Sequence, residues 1–186
     1  MSVADLDGPA SPMSGLSALP ARNRSTLPAV KKTALLKAII TRLVAELALS
    51  RAAARTAADG ATAEQNKAEN KYDTRGLELS YLAAGQGRQM AEAEATIGQL
   101  RALPLREFAP GDQIDLSALI TLEAAEEQPL YFLAPRGGGT EVRCGGHAVL
   151  VITPQSPLGR QLLGRRAGDR VSFGRDGRTH RIAVVR

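Results

Sequence analysis

The sequence predicts an α+β chain in two parts, an N-terminal antiparallel coiled-coil helical hairpin followed by a small β-rich domain. Three observations carry that reading. Apolar residues recur at spacings of three and four over two long stretches between residues 30 and 103. Aromatic residues make up only 3% of the 186-residue chain, too few for one large, densely packed core. Beyond Pro104 the pattern changes to short strand-like runs separated by turn residues.

Residues 1–28 mix Pro9, Pro12 and Pro20 with Ser, Gly and Ala and show no apolar period, so they cannot repay the entropy cost of ordering and are expected to form a disordered arm. The hairpin is expected over 29–103. Pro28 stands where a helix can begin, and Leu36, Ile40, Leu43 and Leu47 then form one helical stripe. The stripe passes into alanines at 52, 53, 54, 57 and 58, which keep helix propensity while thinning the side chains. Asp59-Gly60 reads as the break between helices, with Thr62 and Gln65 as a capping box for the second. The seam of that second helix is Tyr72, Gly76, Leu79, Ala83, Gln86, Met90, Ala93, Ile97 and Leu100. Each arm should be about 40 to 55 Å long at 1.5 Å per residue, which carries the turn far from any globular body.

Residues 104–186 form the second part, with strands expected at about 112–123, 128–134, 147–153, 169–175 and 178–184. Asp176-Gly177 between the last two is a hairpin signal, with Phe173 and the segment 182–185 supplying apolar flanks. Ser156-Pro157-Leu158 followed by Arg160-Gln161-Leu162-Leu163-Gly164 reads as a short capped helix with Ser at the N-cap, Pro at N1 and Gly at the stop.

The net charge is +5, unevenly distributed. Residues 136–186 hold ten arginines and no lysine against Glu141, Asp169 and Asp176, whereas 104–128 hold six carboxylates against Arg106 alone. An arginine surface suits bidentate contact to carboxylate or phosphate alike, so an acidic protein patch is as good a target as DNA. No run of about 18 uncharged apolar residues exists, and the start lacks a basic region followed by an apolar one; the expectation is a cytoplasmic protein with no membrane partner. Cys144 stands alone, without the spacing of a disulfide or metal site, and reads as a structural thiol.

No autonomous active site is evident. His147 and His180 lie in strand-like segments without a nucleophile motif beside them. Arg136-Gly137-Gly138-Gly139-Thr140 lacks the Lys-Ser/Thr ending of a phosphate loop and is expected to be a flexible hairpin loop. Aromatics for a prolyl isomerase pocket are limited to Phe108, Tyr131, Phe132 and Phe173. The distal turn carries Asp59, Glu64, Glu69, Asp73 and Glu78 against Lys67, Lys71 and Arg75, either a solvated helix tip or carboxylates that a thin rod can deliver into a narrow cavity.

The run from Ile152 to Gly164, Ile-Thr-Pro-Gln-Ser-Pro-Leu-Gly-Arg-Gln-Leu-Leu-Gly, and Gly168-Asp169-Arg170-Val171 after it, resemble a signature of the GreA/GreB family of bacterial transcript cleavage and elongation factors. The resemblance spans about residues 31–186 and implies a C-terminal domain of FKBP-like fold. It implies one main partner, RNA polymerase, contacted through Ser156, Pro157, Leu158 and Arg160 while the hairpin enters the secondary channel. Nucleic acid would then be touched only indirectly or weakly, and the factor would act as a monomer. At the tip, Glu69-Asn70 with Tyr72 resembles the family's motif, but Asn66 stands where an aspartate is expected and Tyr72 arrives one residue early. Glu69 and Asp73 are therefore the candidate contacts to a Mg²⁺ shared with the polymerase, the chain having no cofactor of its own. The function so implied is that of an accessory factor, not an enzyme, that modulates elongation and stimulates cleavage of backtracked RNA. The alternatives are a channel-binding regulator without cleavage and a basic coiled-coil module that binds nucleic acid; a DNA-binding role belongs to the latter.

Overall fold

The computed structural model describes residues 30–65, 74–123, 128–172 and 177–186. Two long helices, α1 (Lys32–Gln65) and α2 (Thr74–Arg101), precede strands β1 (Leu119–Glu123), β2 (Leu130–Leu133), β3 (Glu141–Cys144) and β4 (His147–Ile152). A short helix α3 (Pro157–Leu162) and strands β5 (Arg170–Ser172) and β6 (Thr179–Val185) complete the chain. The fold is α+β, as the two periodicities require.

The helices lie side by side and run in opposite directions. Leu43 of α1 and Leu100 of α2 meet the same loop residue, Gly137. Further out, the Arg51 guanidinium pairs with the Glu94 carboxylate, and Ala58 lines the same surface groove as Gly87. Burial declines outward along the pair. Ile97 and Leu100 are buried, Met90 and Ala93 half-buried, and Ala83 and Gln86 exposed. The remaining seam positions, Tyr72, Gly76 and Leu79, fall where the chain or its side chains lie outside the described residues.

Two helix expectations are corrected. α1 does not break at Asp59-Gly60 but continues to Gln65, so Thr62 and Gln65 sit inside it rather than capping a second helix. A helical Gly costs about 1 kcal/mol relative to Ala, and the alanine-rich turns before it absorb that cost. The deepest α1 positions are Leu35 and Ile39, both fully buried, one residue before the expected Leu36 and Ile40. The reason is a second packing partner: α1 also lies against β3 and shares a core with the sheet, so the buried face is wider than a coiled-coil stripe.

The sheet has six strands in the order β3-β4-β2-β1-β6-β5. All pairings are antiparallel except β2 with β4, where Leu130 stands beside Val149 and Leu133 beside Ile152. One face, with Leu119, Leu130, Phe132, Val142, Val149 and Val151, packs against Leu35, Ile39 and Leu100 at the root of the helices. The other face, with Ile120, Leu122, Leu133, Ile152, Val171 and Ile182, is covered by Phe108, Ile114 and Leu162. Cys144 is half-buried against the first face, consistent with a packing role.

Three strand expectations also change. β1 begins at Leu119, not 112, because Ser117 takes a positive φ of 68° that an extended strand cannot hold; its hydroxyl accepts from the Arg106 amide. β3 was not expected at all. The 136–140 segment is therefore not a hairpin loop: it carries the chain from β2 past the place of β4 to the sheet edge. The last two strands pair as expected, β5 over Arg170–Ser172 and β6 one residue later than expected, and Gly177 before β6 takes a φ of 59°. Phe173 and Asp176 lie outside the described residues, as do residues 1–29.

The stretch joining α2 to β1 is fastened to the helix root. Lys32, 8% exposed, donates through Nζ to the Arg106 carbonyl and lies 4.9 Å from the centre of the Phe108 ring. The Arg106 guanidinium lies 4.8 Å from that ring and pairs with Asp112 at 2.9 Å. Burial holds the Lys32 ammonium below its ordinary pKa, opposed by the neighbouring Glu107 carboxylate.

Candidate partner-docking site

The motif residues 152–164 run from the end of β4 into α3, and their local chemistry explains their order. β4 ends at Ile152, and the Thr153 carbonyl is left pointing into the turn. It accepts from the Ser156 amide at 3.0 Å and from the Ser156 hydroxyl at 2.7 Å. The same hydroxyl oxygen accepts from the Gly159 amide at 3.0 Å, so Ser156 caps α3 while tying it back to β4. Pro157 follows at N1, where its missing N–H costs nothing. Gly159 is demanded by space: a Cβ there would lie 1.9 Å from the Thr153 carbonyl oxygen. Leu162 anchors the helix, fully buried in the second core.

With Ser156, Gly159 and Leu162 facing inward, Pro157 and Arg160 are exposed and Leu158 is half-buried. The four candidate contact residues thus divide. Pro157, Leu158 and Arg160 offer an apolar-plus-cationic face to a partner, whereas Ser156 serves chiefly to fix that face. Pro157 and Leu158 also border an open groove of about 510 Å³ with Tyr131, Leu150 and Ile152 on its walls. Burial pushes the Tyr131 hydroxyl pKa up from its ordinary value.

Among the described residues the aromatics do not converge into an isomerase pocket. Phe132 and Phe108 belong to cores on opposite faces of the sheet, which leaves Tyr131 as the groove's aromatic among the described residues. The glycine segment after β2 makes no phosphate cradle either. A Cβ on Gly137 would lie within 3.6 to 3.7 Å of Leu100, Leu43 and Thr96, so the segment sits against the helix root, and Arg136 adds an ion pair to Glu92 at 3.2 Å. His147 is exposed at the start of β4 and His180 half-buried in β6.

Glu69 and Asp73, the candidate tip contacts, lie outside the described residues. Of the carboxylates flanking them, Asp59 and Glu78 are exposed on α1 and α2. Among the described residues no group of three His, Cys, Asp or Glu side chains is placed to hold a metal ion, and no helix is long and apolar enough to cross a membrane. Sequence reasoning missed the Lys32–Arg106–Phe108 fastening, whose partners are 74 residues apart in the chain. It also missed the closeness of Thr153 to Gly159, although the small residue after Pro-Leu was a signal of it.

No family profile and no curated protein matches the chain. Among solved structures it is similar to the GreA factor homolog 1 (Gfh1) protein of Thermus thermophilus, with 25% identity over 81% of this chain and 96% of that one, at a TM-score of 0.34. It is likewise similar to Gfh1 of Thermus aquaticus, with 24% identity over 80% and 94% of the two chains, at a TM-score of 0.35.

Proposed function

We propose that the chain is a Gre-like transcription factor: its C-terminal domain, of FKBP-like type, docks on RNA polymerase, and its helical pair reaches towards the polymerase active centre through the secondary channel. The observation that carries this reading is the β4–α3 turn. Its inward residues are consumed in holding its shape, and its outward residues, Pro157, Leu158 and Arg160, are members of a Gre-like signature presented on a rigid support. A rigid turn that exposes an apolar residue beside an arginine suits a protein contact, because little entropy is lost when it binds.

The factor would act as a monomer in the cytoplasm and would have no catalysis of its own. Glu69 and Asp73 would meet the polymerase Mg²⁺, one helical turn apart if that segment is helical. Asn66 and the lysines at 67 and 71 favour the form of this function that occupies the channel with weak RNA cleavage. The test has two arms. In binding assays with purified core polymerase, Pro157→Asp and Arg160→Glu should each weaken affinity about tenfold or more; unchanged affinity in both removes the docking claim. In a backtracked-complex assay, Glu69→Ala and Asp73→Ala should lower RNA shortening, with partial rescue by Mg²⁺; robust cleavage in both variants removes the carboxylate role.

A further inference from the structure

We propose that the outer face of β5–β6 is a sequence-independent contact for the phosphate backbone of a nucleic acid duplex, centred on Arg170 and Arg181. The proposal does not depend on the polymerase reading. The two arginines are direct cross-strand partners in the β5–β6 ladder, so their side chains leave the same face with Cβ atoms about 5 Å apart. Both are exposed. Like charges placed opposite each other in a sheet are unfavourable, and among the described residues one carboxylate pairs with them: Glu123 on β1, 3.6 Å from Arg181. Arg170 has no ion-pair partner among the described residues.

The next rung on that face is Ser172 opposite Thr179, both exposed, their hydroxyls hydrogen-bonded at 3.1 Å so that one donates to the other and the second keeps its proton for a phosphate oxygen. The face is also uncovered. The helix root packs on the β1–β2–β3–β4 end of the same side of the sheet, and no residue of β5 or β6 enters that core. Just before the pair, the turn into β5 is tied to β6, the Gly168 amide donating to the Ile182 carbonyl at 2.8 Å, which fixes the start of the strand that carries Arg170.

A phosphate backbone suits this arrangement better than a carboxylate surface. A duplex carries about one charge per 1.7 Å of its axis, so two guanidiniums about 5 Å apart find phosphates in any register. Arginine at every basic position from 136 onward supplies planar forks that grip phosphate oxygens in pairs. Among the described residues, those on this face lie along the two strands and offer guanidiniums and hydroxyls suited to phosphate, which makes the contact indifferent to sequence.

The test uses the full chain and a short labelled DNA duplex in a salt series. Arg170→Gln should weaken binding several-fold and lower the slope of log affinity against log salt by about one. Arg143→Gln removes the same charge from the opposite sheet edge, where Arg143 is exposed on β3, and should leave affinity within about twofold. Adding duplex should raise the melting temperature of the parent more than that of Arg170→Gln. Equal losses in the two variants, absence of binding at low salt, or displacement of the duplex by polyglutamate as readily as by unlabelled DNA would each overturn the proposal, the last by pointing to an acidic protein instead.

Discussion

Ser156 shows how one hydroxyl can do two jobs that most capping residues do not combine. It accepts from the Gly159 amide and donates to the Thr153 carbonyl. Aspartate is ordinarily as good a cap as serine, yet here its carboxylate would face the Thr153 carbonyl with no proton to give. Ser156→Asp is therefore expected to be worse than Ser156→Ala, which should cost about 1 kcal/mol in urea unfolding of the full chain; the reverse order would show that the donated bond is unimportant. Gly159→Ala should cost about 2 to 3 kcal/mol, because the added methyl meets a backbone oxygen that cannot swing away. The residue types of this turn were legible in the sequence, down to the cap and the proline at N1. Their reasons were not, since the approach of Thr153 to Gly159 depends on where β4 stops.

The long elements were legible because their apolar residues repeat, and they were misread where a second partner or a weak signal intervened. Leu35 and Ile39 lie off the expected stripe since the sheet as well as α2 receives them. Ile39→Ala should cost about 2 to 5 kcal/mol, whereas Leu49→Ala, at a position 71% exposed, should stay within about 0.5 kcal/mol. Gly60 makes the complementary case. It sits inside α1 with open space where a Cβ would go, so Gly60→Ala should raise stability by up to about 1 kcal/mol; a loss would mean that the chain turns there after all. β3 escaped notice because only Val142 in Glu141–Cys144 is buried and its neighbours are charged, as befits an edge strand.

At the scale of the molecule, the fastening at Lys32 joins the start of α1 to the segment that enters the sheet. Its amine is depressed below the ordinary value of 10.5 by burial, so the folded chain holds that proton less tightly than the unfolded chain. Stability should accordingly rise with pH across the interval just below 10.5 as the penalty for a buried charge is relieved. Tyr131 acts in the opposite sense above 10.0, because its buried phenol resists ionisation, and the comparison must be with a variant: the difference in unfolding free energy between parent and Lys32→Met should shift in the parent's favour as pH rises. A difference independent of pH would show that Lys32 keeps its ordinary affinity for protons.

The helical pair is gripped only near one end, and that fixes its mechanics as a lever. The α1 residues that enter the core with the sheet run from Leu35 to Leu43, a purchase of roughly 12 Å, while the helix continues about 33 Å further to Gln65. A lateral slack of about 1 Å across the grip becomes roughly 3 Å at that far end by proportion alone. Tolerance at the working end of the rod is thus set by fit at its socket. Trimming Leu35 or Ile39 would blunt the aim of a terminus that neither of them touches.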